Sequence, residues 1–198
     1  MAEKDEHILT PFDEITDGYR FQQIVAEYFR CYKTEIHNYS IVDVNVEDSG
    51  IGPDGGCDIL VEFIFEDMIS KYSHRWVVEC KCHENPIGIY DINTNNIRMI
   101  LDNKKADGYL LVCKKDASSS LKRMFNENNE RNEKKYYIWN GVQFWHQCIK
   151  FKSIIEAIFP EYYNKLFVKD EEAFTALTDK FEKEGGVKWW EEFLFHIR

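Results

Sequence analysis

Apolar residues recur along the chain at two spacings, and these spacings predict the order of helices and strands. Between residues 12 and 32 they recur at the spacing of a helix that buries one face. The apolar positions of this segment include Phe21, Ile24, Val25, Tyr28 and Phe29. Residues 40–47 alternate between apolar and polar side chains, which predicts a strand with one buried face.

The rest of the chain continues with short apolar runs separated by turn-forming residues. Further strands are predicted at 57–66, 75–82, 107–113 and 135–139. Helices are predicted at 88–103, from Ser120 to about residue 132, and from about residue 143 onward. This order predicts an α/β fold in which helices flank a mixed central sheet. We expect residues 1–150 to form the core, and residues 151–198 to form a helical C-terminal extension that packs on the core or on a partner.

Composition narrows the class of protein. The 198 residues include 44% hydrophobic and 15% aromatic residues, as in a globular protein large enough to bury a core. No apolar run reaches about 18 residues, so no membrane span is expected. The first residues are acidic and lack the apolar stretch of a secretory signal. The six cysteines lack the spacing of a disulfide framework, which favours a reducing cytoplasm.

The net charge of −10 does not by itself suggest a nucleic-acid partner. Residues 98–135, however, contain ten Lys or Arg against six Asp or Glu, so a local basic face is compatible with the acidic total. Four residues of this region are candidates for contact with a nucleic-acid backbone. They are Lys114, Lys115, Lys122 and Arg123. The alternative for these side chains is a solvated helix face.

Three charged residues lie within or beside two apolar runs that are predicted to be neighbouring strands. Asp58 opens the run at 57–66, and Glu79 and Lys81 lie two residues apart in the run at 75–82. Side chains alternate along a strand, so Glu79 and Lys81 share one face and Cys80 points to the other. Adjacent strands lie about 5 Å apart, so Asp58 and Glu79 can share an ion if a loop near residues 67–74 joins antiparallel strands.

This combination of side chains predicts a chemistry. Buried charges are costly unless something binds them, and two carboxylates suit Mg²⁺, or Mn²⁺ in its place. The backbone carbonyl of Cys80 offers a further oxygen ligand. Lys81 is then placed to orient or deprotonate an attacking water, or to stabilise charge on a phosphate. The reaction that these groups suit is hydrolysis of a phosphodiester.

The same residues carry a resemblance to a known family. GPDGGCDIL followed by VVECKC resembles the PD-(D/E)XK nuclease superfamily, and most closely its Mrr-like restriction endonucleases, over roughly residues 18–145. The resemblance implies a restriction-endonuclease-like core in which Asp58 and Glu79 bind the metal ion and Lys81 is the catalytic lysine. It places Asp54 in the glycine-rich turn. Some related nucleases add a glutamate from the first helix, for which Glu27 is the candidate.

The resemblance also implies a biological role. It implies a Mg²⁺-dependent DNA endonuclease that acts in defence against foreign DNA, as a stand-alone protein or with further domains or subunits of a larger system. Cleavage of both strands requires two active sites, so we expect a homodimer or higher homo-oligomer.

Several alternatives remain open from the sequence. One is a structure-selective repair or junction nuclease on the same fold, and another is a nucleic-acid-binding or assembly module without turnover. The three charged residues are also compatible with a structural ion-pair network. Cys80, Cys82 and His83 raise the alternative of zinc, but the chain lacks a second ligand pair at a suitable spacing.

Overall fold

The computed structural model describes residues 10–35, 41–48, 57–131 and 133–164. Its strands form a five-stranded sheet in chain order. The strands are β1 (Ile41–Asp48), β2 (Ile59–Glu66), β3 (Lys71–Lys81), β4 (Gly108–Cys113) and β5 (Lys135–Trp139). β1, β2 and β3 pair antiparallel, whereas β3, β4 and β5 pair parallel. The mixed central sheet expected from the sequence is therefore confirmed.

Six α-helices are described. They are α1 (Gly18–Glu35), α2 (Ile97–Lys104), α3 (Ser119–Arg131), α4 (Gly141–Cys148), α5 (Lys152–Ile158) and α6 (Pro160–Tyr163). Short 3₁₀ helices at Pro11–Glu14 and Ile89–Asp91 precede α1 and α2. The helix predicted at 88–103 is wrong in its first half, because the chain turns through residues 92–96 before α2 begins. That stretch contains three Asn and one Thr, whose side chains favour turns over a helix interior.

The connection between β2 and β3 is a hairpin with a tighter turn than the sequence suggested. Glu66 pairs with Lys71, and the Asp67 carboxylate accepts hydrogen bonds from the backbone N–H groups of Ile69 and Ser70, both at 2.8 Å. The loop predicted near 67–74 therefore ends at residue 70. Residues 71–74 pair fully with β2 although they are largely polar, because a strand with an exposed face carries polar side chains.

Helices α2 and α3 cover one face of the sheet. Their apolar residues join side chains of β3, β4 and β5 in one cluster, which includes Val77, Leu101, Tyr109, Leu111 and Phe125. β4 is buried at all six positions, as its short apolar sequence predicts for a strand covered on both faces. The buried face beneath α2 and α3 is the face that contains Glu79.

The opposite face packs against α1 and α4 mainly through aromatic rings. The Phe29 ring of α1 lies 6.2 Å from the Phe63 ring of β2, and the Phe144 ring of α4 stacks on Trp139 of β5 at 6.3 Å. Such ring contacts add to the stabilisation from buried area. The Phe29 ring thus lies against the back of β2, whose first residue follows Asp58.

The chain divides into two compact units, one of which comprises residues 10–151. The other contains the chain after residue 151, of which α5 and α6 are described. Within it, Lys152 Nζ lies 5.7 Å from the centre of the Tyr163 ring. The expectation that residues 151–198 pack on the core or on a partner stays a prediction, and residues 165–198 lie outside the described part. Among the described residues, no helix has the length and apolar character needed to cross a membrane.

Candidate active site

Glu79 and Lys81 lie at the C-terminal end of β3 and contact each other. The register with β4 pairs Glu79 with Leu111 and Lys81 with Cys113, so both side chains project from the face covered by α2 and α3. Lys81 Nζ lies 2.7 Å from Glu79 Oε1. The Glu79 side chain is only 6% exposed, whereas that of Lys81 is 24% exposed. The ion pair therefore runs from the buried interior towards solvent.

The second oxygen of the Glu79 carboxylate accepts a hydrogen bond from the Tyr109 hydroxyl. Tyr109 is fully buried near the start of β4. Burial raises the pKa of Tyr109 well above its ordinary value, and the nearby charge of Glu79 raises it further. The phenol therefore remains protonated and donates to Glu79 across the whole physiological pH range.

Asp58 approaches the same point from β2. Ile59 pairs with Val78, and the backbone N–H of Asp58 also donates to the Val78 carbonyl at 3.1 Å. This hydrogen bond fixes the backbone of Asp58 directly before β2 begins at Ile59. The Asp58 carboxylate accepts a hydrogen bond of 2.6 Å from the N–H of Cys80. Asp58 is thereby held at the amide between Glu79 and Lys81.

The charges of the site determine the state of Lys81. Burial disfavours its ammonium, but the hydrogen bond to Glu79 and the negative charges of Glu79, Asp58 and Asp91 outweigh that effect. Together they raise the pKa of Lys81 above its ordinary value. Lys81 is therefore a cation at neutral pH, and in this state it can donate hydrogen bonds but cannot accept a proton.

Gln22 on α1 supports Asp58 from the other side of β2. Its side-chain amide donates to the Asp58 carbonyl at 3.1 Å and to Asp48 Oδ1 at 2.7 Å. Gln23 donates to the other oxygen of Asp48. Gln22 is 8% exposed, so this buried amide ties the first helix, the end of β1 and the backbone of Asp58 together.

The residues present fit a divalent cation that prefers oxygen ligands. In β3 the Val78 carbonyl points towards β2, and alternation along the strand directs the Cys80 carbonyl to the same side. Two carboxylates and this carbonyl form the donor set that Mg²⁺ accepts, because Mg²⁺ commonly binds through one or two carboxylates and retains several waters. Within the described part of the chain, no group of three His, Cys, Asp or Glu side chains is arranged to hold a metal. An ion here would therefore depend on these two carboxylates.

The structure does not bring Glu27 to this point, so the prediction of a ligand from the first helix is not supported. The Glu27 carboxylate lies 3.3 Å from Nη1 of Arg30 on the same helix, and its side chain is 43% exposed. Five residues of helix separate it from Gln22, which corresponds to a rotation of roughly 140° around the helix axis. Gln22 is thus the residue of α1 that faces Asp58.

The thiols of Cys80 and Cys82 lie near the site, and their surroundings do not favour zinc binding. The Cys82 thiol donates to the Ile15 carbonyl, with a distance of 3.3 Å between the atoms. Burial raises the pKa of the Cys80 thiol well above its ordinary value, and the charges of Asp58 and Glu79 raise it further. Metal binding by sulfur requires the thiolate, so this environment disfavours Cys80 as a ligand.

The four basic residues predicted to contact nucleic acid separate into two pairs. Lys114 has a fully buried side chain whose Nζ lies 2.8 Å from the Ile15 carbonyl and 2.5 Å from Glu84 Oε1. Lys115 forms an ion pair with Asp13 and is 12% exposed. Both anchor the segment before α1, so the prediction of a backbone contact is wrong for Lys114 and does not suit Lys115. Lys122 and Arg123 lie exposed on α3, and for them a contact with nucleic acid stays a prediction.

Gln22 and Tyr109 are the site residues that sequence reasoning missed. Gln22 carried a signal, since it is a polar residue beside Phe21 in the apolar stripe of the first helix. No feature of the sequence pointed to Tyr109, because a tyrosine in a buried strand usually packs in the core. Asp54 of the glycine-rich turn lies outside the described residues.

Comparison with known proteins gives one family and one structural neighbour. The family model Mrr_cat, described as "Restriction endonuclease", matches residues 13–145, which is more than half of the chain. No curated protein is significantly similar to the chain in sequence.

Among solved structures, the DNA modification-dependent restriction endonuclease AspBHI matches with a TM-score of 0.39 and 11% identity. The match covers 80% of this chain and 45% of that protein, so the chain spans less than half of that protein's length. The family match includes Asp58, Glu79 and Lys81, the three residues that meet at the end of β3. The chain belongs to the restriction endonuclease family.

Proposed function

We propose that the protein is a Mg²⁺-dependent endonuclease that hydrolyses phosphodiester bonds in DNA. The observation that supports this most directly is the convergence at the end of β3. The Asp58 carboxylate bonds the amide that lies between Glu79 and Lys81, and Lys81 bonds Glu79 directly. Family membership supplies the reaction class, and these three side chains supply the acidic and basic groups that the reaction requires.

Each side chain has a role that follows from its position. Asp58 and Glu79 hold the ion, together with the Cys80 carbonyl. When bound, Mg²⁺ or Mn²⁺ supplies Lewis-acid stabilisation of the negative charge on the phosphate. Lys81 is cationic and partly exposed, so it stabilises charge on the phosphate and orients the attacking water by donating a hydrogen bond.

The proposed reaction on duplex DNA requires more than one copy of the chain. One such site holds one strand at a time, so cleavage of duplex DNA requires two copies, in a homodimer or larger assembly. We include in the proposal a role in defence against foreign DNA, with further domains or subunits. All six cysteines are free thiols, which suits the reducing cytoplasm.

The test is a plasmid-nicking assay with purified protein. Wild type is expected to convert supercoiled plasmid to open circles with Mg²⁺ or Mn²⁺, and EDTA is expected to abolish this. Asp58→Ala and Lys81→Ala are each expected to reduce the rate by a factor on the order of 10² or more. The matched controls are Asp102→Ala and Lys104→Ala on α2, which remove the same charges away from the site.

Two results would contradict the proposal. One is nicking by wild type that persists in EDTA, and the other is nicking that survives Lys81→Ala unchanged. A preference for branched over linear DNA in the same assay would retain the chemistry but reassign the substrate to a repair or junction intermediate. Absence of nicking on every substrate, with either metal, would instead favour a binding module.

A further inference from the structure

We infer that Tyr109 is a positioning residue that fixes the orientation of the Glu79 carboxylate for metal binding. The inference rests on the proposed function, in which Glu79 is a ligand of the ion. Tyr109 does not reach the reacting atoms itself, because it is fully buried and its hydroxyl contacts Glu79. Its effect is therefore exerted through the carboxylate.

Packing on two sides holds the Tyr109 ring in place. The ring lies 5.9 Å from Phe125 of α3 in an edge-on arrangement and 6.5 Å from Tyr136 of β5. Tyr109 also pairs with Val77 in the parallel ladder, two residues before Glu79 on β3. The sheet fixes the backbone of Tyr109, and the core fixes its ring. The hydroxyl therefore points in one direction, towards Glu79.

The two oxygens of Glu79 have different surroundings. Oε2 faces the interior, where the Tyr109 hydroxyl donates to it, and Oε1 faces Lys81 on the more accessible side. A buried carboxylate oxygen without a donor is costly, so removal of the hydroxyl would favour rotation of the carboxylate away from this geometry. Tyr109 thus keeps Oε1 directed towards the side from which an ion can enter.

Hydrogen-bond partners of metal ligands commonly change metal affinity when they are removed. The usual effect of such a change is a 10–100-fold loss in affinity or activity. Tyr109→Phe removes only the hydroxyl and retains the ring that packs on Phe125. The variant is therefore expected to fold, but to bind Mn²⁺ about 10–100-fold more weakly than wild type.

The experiment measures Mn²⁺ binding to metal-free protein without DNA, by the decrease in the electron paramagnetic resonance signal of free Mn²⁺. Tyr136→Phe is the matched control, because it removes a hydroxyl from the same core cluster without a contact to Glu79. Its affinity is expected to stay within about twofold of wild type. In a Glu79→Gln background, Tyr109→Phe is expected to cause no further loss, since the residue acts through that carboxylate.

The outcomes separate this inference from the proposed function. If wild type binds Mn²⁺ and Tyr109→Phe binds it equally well, the inference is wrong and the metal site stands. If wild type neither binds Mn²⁺ nor nicks DNA, the proposed function fails, and the inference fails with it. If Tyr109→Phe does not fold, 4-fluorophenylalanine at this position fills the space of the hydroxyl without donating. Equal Mn²⁺ affinity in that variant would overturn the inference.

Discussion

The Asp58 carboxylate accepts a hydrogen bond of 2.6 Å from the backbone N–H of Cys80, the amide between Glu79 and Lys81. A side chain here takes the place of a backbone carbonyl in the ladder between β2 and β3. The acidic residue proposed to bind metal is therefore also part of the sheet. Its position is set by two hydrogen bonds to β3, which hold it more rigidly than a surface loop would.

This dual role predicts different results for two substitutions of Asp58. Asp58→Ala removes the acceptor for the Cys80 N–H and is expected to lower the free energy of unfolding by about 1–3 kcal/mol. Asp58→Asn retains an oxygen acceptor and is expected to cost less than half as much. Both should abolish nicking, because neither keeps the negative charge. Urea unfolding, with Asp102→Ala as control, measures the difference. Equal stability of Asp58→Ala and wild type would show that the hydrogen bond does not form in solution.

Lys114 is predicted to matter for stability rather than for DNA binding. Its buried Nζ bonds the Ile15 carbonyl and Glu84, so Lys114→Met leaves that carbonyl with fewer donors. We expect a loss of about 1–3 kcal/mol in the free energy of unfolding and no change in the salt dependence of DNA affinity. Lys122→Met is the exposed control and should leave stability within about 0.5 kcal/mol of wild type. A Lys114→Met protein as stable as wild type, but weaker on DNA, would reverse this assignment.

The meeting of the three charged residues at one point was predictable, because strand periodicity and the glycine-turn motif act locally. Glu79 and Lys81 lie two positions apart in an apolar run, which is sufficient to place them on one face. Asp58 follows the DGG sequence at the start of the preceding apolar run, and the hairpin brings the two runs together. These relationships involve adjacent strands and a short connection.

The rest of the site depends on relationships between distant parts of the chain. The contact from Tyr109 to Glu79 requires the parallel register of β3 and β4, which a sequence does not contain. The burial of Lys114 requires the segment around Ile15 to lie against the end of β4, 99 residues away. A lysine in a basic stretch is usually exposed, and only the tertiary structure distinguishes Lys114 from Lys122.

Lys122 and Arg123 are predicted to contribute to DNA binding through electrostatics. They are exposed on α3, the helix that packs on the same sheet face as Glu79. If each contacts one phosphate, each alanine substitution should reduce the slope of log affinity against log salt by about 0.9. Fluorescence anisotropy with labelled duplex DNA at several salt concentrations measures this. Lys71→Ala, in the hairpin, is the control, and an unchanged slope in both α3 variants would place the DNA elsewhere.

His146 in α4 gives a prediction about pH. Burial lowers its pKa, and the charge of Lys150 lowers it further. The folded state thus favours the neutral ring, whereas in the unfolded chain the ring titrates near its ordinary value of about 6.5. The part of the folding stability that comes from a neutral His146 is therefore present above about pH 6.5 and is lost as the pH falls.

The free energy of unfolding of His146→Gln is expected to depend less steeply on pH than that of wild type. Between about pH 7 and 5.5, one histidine contributes a slope of at most about 1.4 kcal/mol per pH unit, and the substitution should remove this part. Urea unfolding at four pH values gives the slopes for wild type and variant. His74→Gln, at a ring that is about half exposed, is the matched control for the loss of a histidine side chain. Identical slopes for His146→Gln and wild type would mean that the ring is not desolvated in the folded protein.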